Sequence, residues 1–206
     1  MESGQRVIGW KLGYTSAAMR EQLGIDQPNI GPLTDVMRLQ SPAVLPDGAL
    51  QPRVEPEIGL VLARDLEPGW TAQDVVDACA GAYACLEVVD SVWAGYRFRL
   101  EDNTADGSSA GWFVVGDQLA LDDLPGIQVD LLMDGASVAR ATGAAAGGHP
   151  AAGVAWLAGE APRRCGRTPS AGELILTGGL TAAFPLAGCD LVRAEFSGGA
   201  VELLTS

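Results

Sequence analysis

Glu55-Pro56-Glu57 sets two carboxylates two residues apart. On a β-strand such residues project to one face, about 6.5–7 Å apart along the chain. Two carboxylates on one face repel unless a cation lies between them or one is protonated. Val54, Ile58, Leu60 and Leu62 share one parity of a strand over residues 53–63, with Glu55, Glu57, Gly59 and Val61 on the other. Pro56 removes a ladder donor and so predicts an edge or a strand end. Two acids facing solvent from such an edge is one reading of the pair, and a cation site is the other. Glu87 bears on the choice, because it adjoins Val88-Val89 and follows an apolar-striped segment. A carboxylate among apolar neighbours is seldom left unpaired. Three such oxygens, with no ligating His or paired Cys, suit a hard cation such as Mg²⁺ or Mn²⁺ better than Zn²⁺.

Lys11 is the second candidate. Of the 13 basic side chains it is the only lysine, the rest being arginine. A compact ammonium can lose its proton or act as a point donor, whereas guanidinium stays charged. A surface lysine is the alternative reading. Three other motifs fare worse. Gly107-Ser108-Ser109-Ala110-Gly111 matches a nucleophile elbow, with His149 downstream, but an elbow needs strand, turn, then helix, and here a polar loop precedes and a strand follows. Asp102 to Gly107 begins like a calcium loop, yet Phe113 stands where a bidentate Glu is required. Trp10 and Leu12 flank the only lysine, which excludes a phosphate-binding loop.

The elements that must position these groups belong to one sizeable domain of 206 residues, 48% hydrophobic and 19% charged. A net charge of −13 argues against nucleic acid and against an anionic membrane surface. No apolar stretch is long enough to span a bilayer, and no signal-type region appears in the first thirty residues, so a cytoplasmic protein with reduced cysteines is expected. Strands are expected over 6–12, 53–63, 111–116, 127–140 (as a hairpin about Asp134-Gly135), 173–177 and 191–204 (as a hairpin about Ser197-Gly198-Gly199). Helices are expected over 15–23, stopped by Gly24, over 151–159 after Pro150, and from a capping box at Thr71 and Asp74 along Val75, Val76, Cys79, Ala82, Tyr83 and Leu86, with a strand beginning near Glu87. Residues 27–51 and 97–109 are expected to be loops. Many strands not alternating with helices favour an α+β fold with mixed or antiparallel sheets.

Gly9-Trp10-Lys11-Leu12-Gly13-Tyr14-Thr15-Ser16 and Gln22-Leu23-Gly24-Ile25-Asp26-Gln27-Pro28 resemble the opening of the 2-keto-4-pentenoate hydratase / 4-oxalocrotonate decarboxylase family, within the fumarylacetoacetase superfamily. Gln51-Pro52-Arg53-Val54-Glu55-Pro56-Glu57-Ile58 resembles its metal strand, and Leu86-Glu87-Val88-Val89-Asp90-Ser91 the segment with its third carboxylate. Thr104 to Ser109, Ala155-Trp156-Leu157 and Ala171 to Gly178 continue the likeness over nearly the whole chain. The resemblance implies a mixed β-sheet roll or sandwich with two or three peripheral helices. It also implies Mg²⁺ or Mn²⁺ held by Glu55, Glu57 and Glu87, Lys11 as the active-site lysine, and substrate contacts near Ser108 and Ser109. Gly31-Pro32-Leu33-Thr34-Asp35-Val36-Met37 resembles a family segment with an acid near its end, which makes Asp35 a further catalytic candidate. Family members usually carry a helical segment before the lysine motif; this chain, residues 1–206, begins almost at that motif and is expected to be a single catalytic domain without it. Gly107 stands where the family usually has Asn.

The implied chemistry is hydration of 2-hydroxypenta-2,4-dienoate to a 4-hydroxy-2-oxo acid, with a Lewis acid stabilising a dienolate and Lys11, its pKa lowered beside a dication, shuttling a proton or orienting water. Decarboxylation of a 4-oxalocrotonate-like 2-oxo dioic acid uses the same electron sink, and a distal cation such as Arg97 or Arg99 would favour it. A non-catalytic partner on this scaffold has no need of four costly polar groups. A C–C hydrolase would need a His–Glu pair, and the only histidine is remote from the metal motif. A homo-oligomer is implied, alone or complexed with a pathway enzyme.

Overall fold

A computed structural model describes residues 4–16, 20–21 and 26–205. The parity seen over residues 53–63 becomes β5 (Arg53–Leu62), whose Val54, Ile58, Leu60 and Leu62 are fully buried on one face. It pairs along its length with antiparallel β6 (Cys79–Val89), which in turn pairs with β7 (Ala110–Leu119). On the other side of β5 lie β10 (Leu174–Leu176), β1 (Val7–Gly13) and β2 (Asn29–Thr34), in that order. β3 (Arg38–Gln40) closes the far side beside β7, and β11 (Phe184–Pro185) pairs with β5 near Arg53. The β1–β10 and β3–β7 pairs are parallel, so this eight-stranded sheet is mixed.

The second sheet has five strands: β4 (Ala43–Val44), β13 (Gly199–Leu204), β12 (Leu191–Phe196), β8 (Gln128–Met133) and β9 (Ala136–Thr142). Both expected hairpins form here. Asp134 and Gly135 adopt positive φ (49° and 79°), as a tight two-residue turn requires. The two sheets share one apolar cluster with Val154 and Leu157 of α3 (Pro150–Cys165). A smaller cluster, including Leu33, Cys85, Phe113 and Leu176, occupies the opposite face of the larger sheet. That face also carries Glu55, Glu57, Glu87 and Lys11. The architecture is the expected α+β arrangement of mixed sheets with few helices.

Several local expectations are corrected. The apolar spacing over 75–86 is not helical: α1 (Ala72–Asp77) keeps the capping box, with Thr71 Oγ1 accepting from Asp74 N–H, but ends where β6 begins. A central strand is covered on both faces, so its residues need not alternate, and such a run imitates a buried helix. Glu87 therefore stands inside a strand rather than at its start. Pro56 lies in a central strand, not at an edge. Its carbonyl accepts from Leu180 N–H in the gap between the β10 and β11 pairings, so its missing donor falls where no ladder bond is needed.

Residues 27–51 contain β2, β3 and β4, whose Pro- and Gly-rich composition hides pairing imposed by neighbouring strands. Residues 97–109 contain α2 (Leu100–Ala105) and a short turn at 107–109. α3 extends past 159, through Pro162, to Gly166 in the left-handed conformation. Most of the helix expected over 15–23 and its Gly24 stop lie outside the described residues. Cys85 and Cys189 are buried, whereas Cys165 is exposed; all four cysteines are unpaired. Among the described residues, no helix is long and apolar enough to cross a membrane.

Leu157, fully buried between α3 and the sheets, tests this packing. Leu157→Ala should cost about 2–5 kcal/mol of unfolding free energy in urea titrations. A change below 1 kcal/mol would place α3 outside the shared core.

Candidate metal centre

Register brings the acids together. Glu55 of β5 lies directly across from Glu87 of β6, and Glu57, two residues on, shares their face. One carboxylate oxygen from each lies within 4.8 Å of the other two. Glu57 and Glu87 are buried, with 0% and 1% exposure, and Glu55 is half-buried. Lys11 reaches the same point from β1, two strands from β5, and is itself only 4% exposed. Its Nζ lies 3.0 Å from Glu87 Oε1. That contact is an ion pair without hydrogen-bond alignment, and both Glu87 oxygens and Glu57 Oε1 lack an aligned donor among the described residues. Glu57 Oε2 accepts from Gly178 N–H at 2.7 Å.

This arrangement is electrostatically expensive. Burial, then the charge of Glu87, pushes the Glu55 carboxyl up to about 8, with Lys11 pulling the other way. Burial followed by Glu87 and Glu55 holds Glu57 well above the usual carboxylate range, against the opposing pull of Lys11 and Gly178. For Lys11, burial is the largest influence and works to remove its proton. The combined attraction of Glu87, Glu55 and Glu57 outweighs it and raises Lys11 above the ordinary lysine value. The carboxylates by themselves therefore raise Lys11; the lowering expected beside a dication requires their charge to be neutralised. Buried carboxyl oxygens without an aligned donor, a hard ligand set, fit an ion such as Mg²⁺ or Mn²⁺.

Close backbone approach shapes the centre at two glycines. A Cβ on Gly179 would stand 2.4 Å from Glu55 Oε2. A Cβ on Gly31, which pairs with Lys11, would meet Gly107 O at 2.3 Å. Gly31 thus lets β2 press against the turn that presents Ser108 and Ser109. Gly107, Ser108 and Ser109 are consecutive left-handed residues (φ 66°, 63° and 56°). The two serines pay roughly 1–2 kcal/mol each for that conformation. Buried amides hold them: Asn29 Nδ2 donates to Ser108 Oγ at 3.1 Å and Asn103 Nδ2 to Ser109 Oγ at 3.0 Å.

Lys11, Glu55, Ser108 and Ser109 line one pocket, together with Arg53 and Tyr96. Asp35 is not brought there. It is exposed in the turn after β2, where its Oδ1 accepts from Arg6 N–H, beyond the opposite end of β1 from Lys11. The local likeness that singled it out carries no information on which side the turn faces. Arg97 and Arg99 are exposed and off the pocket wall; the arginine on the wall is Arg53. His149 caps α3, accepting from Ala151 N–H through Nδ1, and is not among the pocket's lining residues. The elbow motif is followed by β7, not a helix. Asn29 and Asn103 were not singled out by sequence reasoning and had no recognisable signal. Gly178-Gly179 after a strand was the one available hint of close approach.

A buried three-carboxylate centre with an internal lysine, set on a mixed roll of strands, defines a class of metal-dependent fold. The model of the fumarylacetoacetate (FAA) hydrolase C-terminal family matches residues 12–203, and the chain belongs to that family. It is 38% identical over 195 residues to 2-hydroxyhexa-2,4-dienoate hydratase of Comamonas testosteroni, covering 91% of this chain and 74% of that protein. It is 41% identical to 2-keto-4-pentenoate hydratase of Burkholderia vietnamiensis, over 86% of this chain and 70% of that one. The structure of 4-oxalocrotonate decarboxylase from Pseudomonas putida, complexed with magnesium and adipate, superposes with a TM-score of 0.93 at 32% identity, covering 98% of this chain and 79% of that one.

Two outcomes follow from the geometry. A proton on Glu55 competes with a cation, so Mg²⁺ affinity should climb as pH rises from 6 to 8, with proton release on binding greatest near pH 6 and declining toward pH 8. Calorimetry in buffers of different ionisation enthalpy reads both, and a flat affinity without proton release would contradict the shared site. Gly179→Ala should weaken Mn²⁺ binding by about tenfold or more, measured by paramagnetic titration, because its methyl displaces Glu55. Unchanged affinity would show that Glu55 is not a ligand.

Proposed function

We propose that this chain hydrates 2-hydroxypenta-2,4-dienoate, the enol of 2-oxopent-4-enoate, to a 4-hydroxy-2-oxo acid, using Mg²⁺ or Mn²⁺ held by Glu55, Glu57 and Glu87. The observation that carries this reading is the convergence of three carboxylates within 4.8 Å, beside a lysine whose Nζ is 3.0 Å from one of them. The hydratase names of relatives at 36–41% identity support the reaction. The bound ion supplies a Lewis acid for the substrate carboxylate and 2-oxygen.

In the reaction the 2-hydroxyl loses its proton and C5 gains one; water then adds its oxygen at C4 and a proton at C3. Lys11 is the buried group able to carry a proton along this path, since it faces the pocket and is held in place by Glu87. Ser108 and Ser109, fixed by Asn29 and Asn103, offer hydroxyls to the polar end of the substrate. Decarboxylation of a 2-oxo dioic acid is the second reading, and Arg53 on the pocket wall favours it. Four unpaired cysteines support a cytoplasmic setting, and the exposed Leu50, Val92 and Trp93 support a homo-oligomer or a complex with a pathway enzyme. A single core cluster shared by both sheets supports one catalytic domain.

The test follows dienoate absorbance with purified protein and Mg²⁺. Turnover should vanish in chelator, and Lys11→Ala and Glu57→Gln should each lower kcat by about 10²-fold or more. A parent protein with metal but no turnover of any dienoate would leave the non-catalytic partner in its place.

A further inference from the structure

We infer that two buried asparagines, Asn29 and Asn103, fix the direction of the Ser108 and Ser109 hydroxyls, so that both serines present a proton to the pocket. The asparagines are then positioning residues that make the serine pair select an anionic ligand oxygen. This deepens the proposed function and rests on it only for which ligand fills the pocket. An asparagine side chain can sit either way round, and its partners decide which end carries the oxygen. For Asn29 the decisive partner is the backbone N–H of Ile30, 2.9 Å from Oδ1, because a backbone N–H can only donate. The opposite end of Asn29 is therefore its NH₂ group. That nitrogen lies 3.1 Å from Ser108 Oγ and 3.3 Å from Asn103 Oδ1, which occupies both of its protons. Facing a donor, Asn103 turns its oxygen toward Asn29 and its NH₂ toward Ser109, whose Oγ lies 3.0 Å away. One backbone amide thus sets the sense of four side chains.

Serines that accept from asparagine keep their own protons for another partner. Among the described residues neither hydroxyl donates to a protein acceptor, and both serines line the pocket. Asn29 and Asn103 are each 2% exposed, so solvent has little access with which to reverse the chain. Thr104 Oγ1, 3.0 Å from Asn29 Oδ1, adds a second contact to that same oxygen. The backbone holds the frame closely. Gly13 pairs with Asn29 across β1 and β2, and a Cβ on Gly13 would stand 3.2 Å from Ser108 Oγ. A hydroxyl already aimed at an anionic oxygen forms a charge-assisted bond without reorienting. A ligand that brings a proton to the same point leaves the serine protons without an acceptor, which a buried site penalises.

The experiment titrates 2-oxopentanoate, the saturated counterpart of the proposed substrate, into the Mg²⁺-loaded full chain by calorimetry. Ser109→Ala should weaken binding by about tenfold or more, the loss of a hydrogen bond to an anionic oxygen. Asn103→Asp keeps the shape but puts an acceptor where the NH₂ was, so it captures the Ser109 proton. It should weaken the ligand at least as much as Ser109→Ala. Asn103→Ala leaves Ser109 free to turn and still donate, and should cost less than Asn103→Asp. A residue that only fills space gives the opposite order, with the isosteric acid mild and the truncation severe, and that order overturns the inference. A buried carboxylate also repels an anion directly, so Asn103→Asp is repeated in a Ser109→Ala background, where its effect should largely disappear. An undiminished effect there overturns the inference. Neutron diffraction from deuterated parent crystals needs no substitution: deuterons on Asn103 Nδ2 facing Ser109 Oγ support it, and a serine deuteron directed at Asn103 overturns it. If the Mg²⁺-loaded parent does not bind the ligand, the proposed function fails and this inference with it. If the parent binds and Ser109→Ala binds equally well, only this inference fails.

Discussion

Three carboxylates forced into one buried corner are the constraint on which the rest of the molecule depends. Glu57 and Glu87 are removed from water almost completely, and Glu55 faces both. Burying a charge without compensation is costly enough that a carboxyl normally takes up a proton instead. Among the described residues, Lys11 and the Gly178 N–H are what offset that cost. A core built for stability alone would place aliphatic side chains at these positions, as β5 does on its other face. The arrangement makes physical sense as a receptor for positive charge.

The scaffold serves this corner in three ways. The antiparallel register of β5 and β6 sets Glu55 across from Glu87, and a one-residue slip would send one of them into the main core. The parallel pairing of β1 with β10 carries Lys11 to the same face. The segment after β10 passes close over β5, where Gly178 and Gly179 lie against the glutamates. Strain is concentrated along the pocket wall. Ser108, Ser109 and Tyr96 all hold positive φ, each fixed by side-chain or backbone hydrogen bonds from a neighbouring segment. Strain of this kind persists only where surroundings over-determine it, and it marks surfaces that must be presented in one orientation.

Much of this was legible in the residues. Glu55 and Glu57 stand out because carboxylates on an otherwise apolar strand need an explanation, and Lys11 because no other lysine exists to dilute it. The hairpins at Asp134-Gly135 and Ser197 to Gly199 carried their own turn chemistry. β6 did not, because a strand buried on both faces has no alternation and its apolar spacing equally suits a helix. Pro56 misled for a related reason: whether a missing N–H matters depends on what lies beside it, which is decided by β10 and β11 far along the chain. Asp35 and Arg53 show the same limit at the site. Local likeness to a family segment nominated Asp35 and charge nominated two arginines, but only the fold decides that Asp35 turns away and that Arg53, not Arg97 or Arg99, lines the pocket. Asn29 acts through contacts with Asn103 and Ser108 that lie 74 and 79 residues away in sequence, which no local pattern announces.

Anomalous diffraction from crystals grown with Mn²⁺ tests the central claim most directly. The account predicts one strong peak at inner-sphere distance, about 2–2.5 Å, from an oxygen of each of Glu55, Glu57 and Glu87, with Lys11 facing it. A peak bound elsewhere, or three glutamates turned apart with no ion among them, would contradict it.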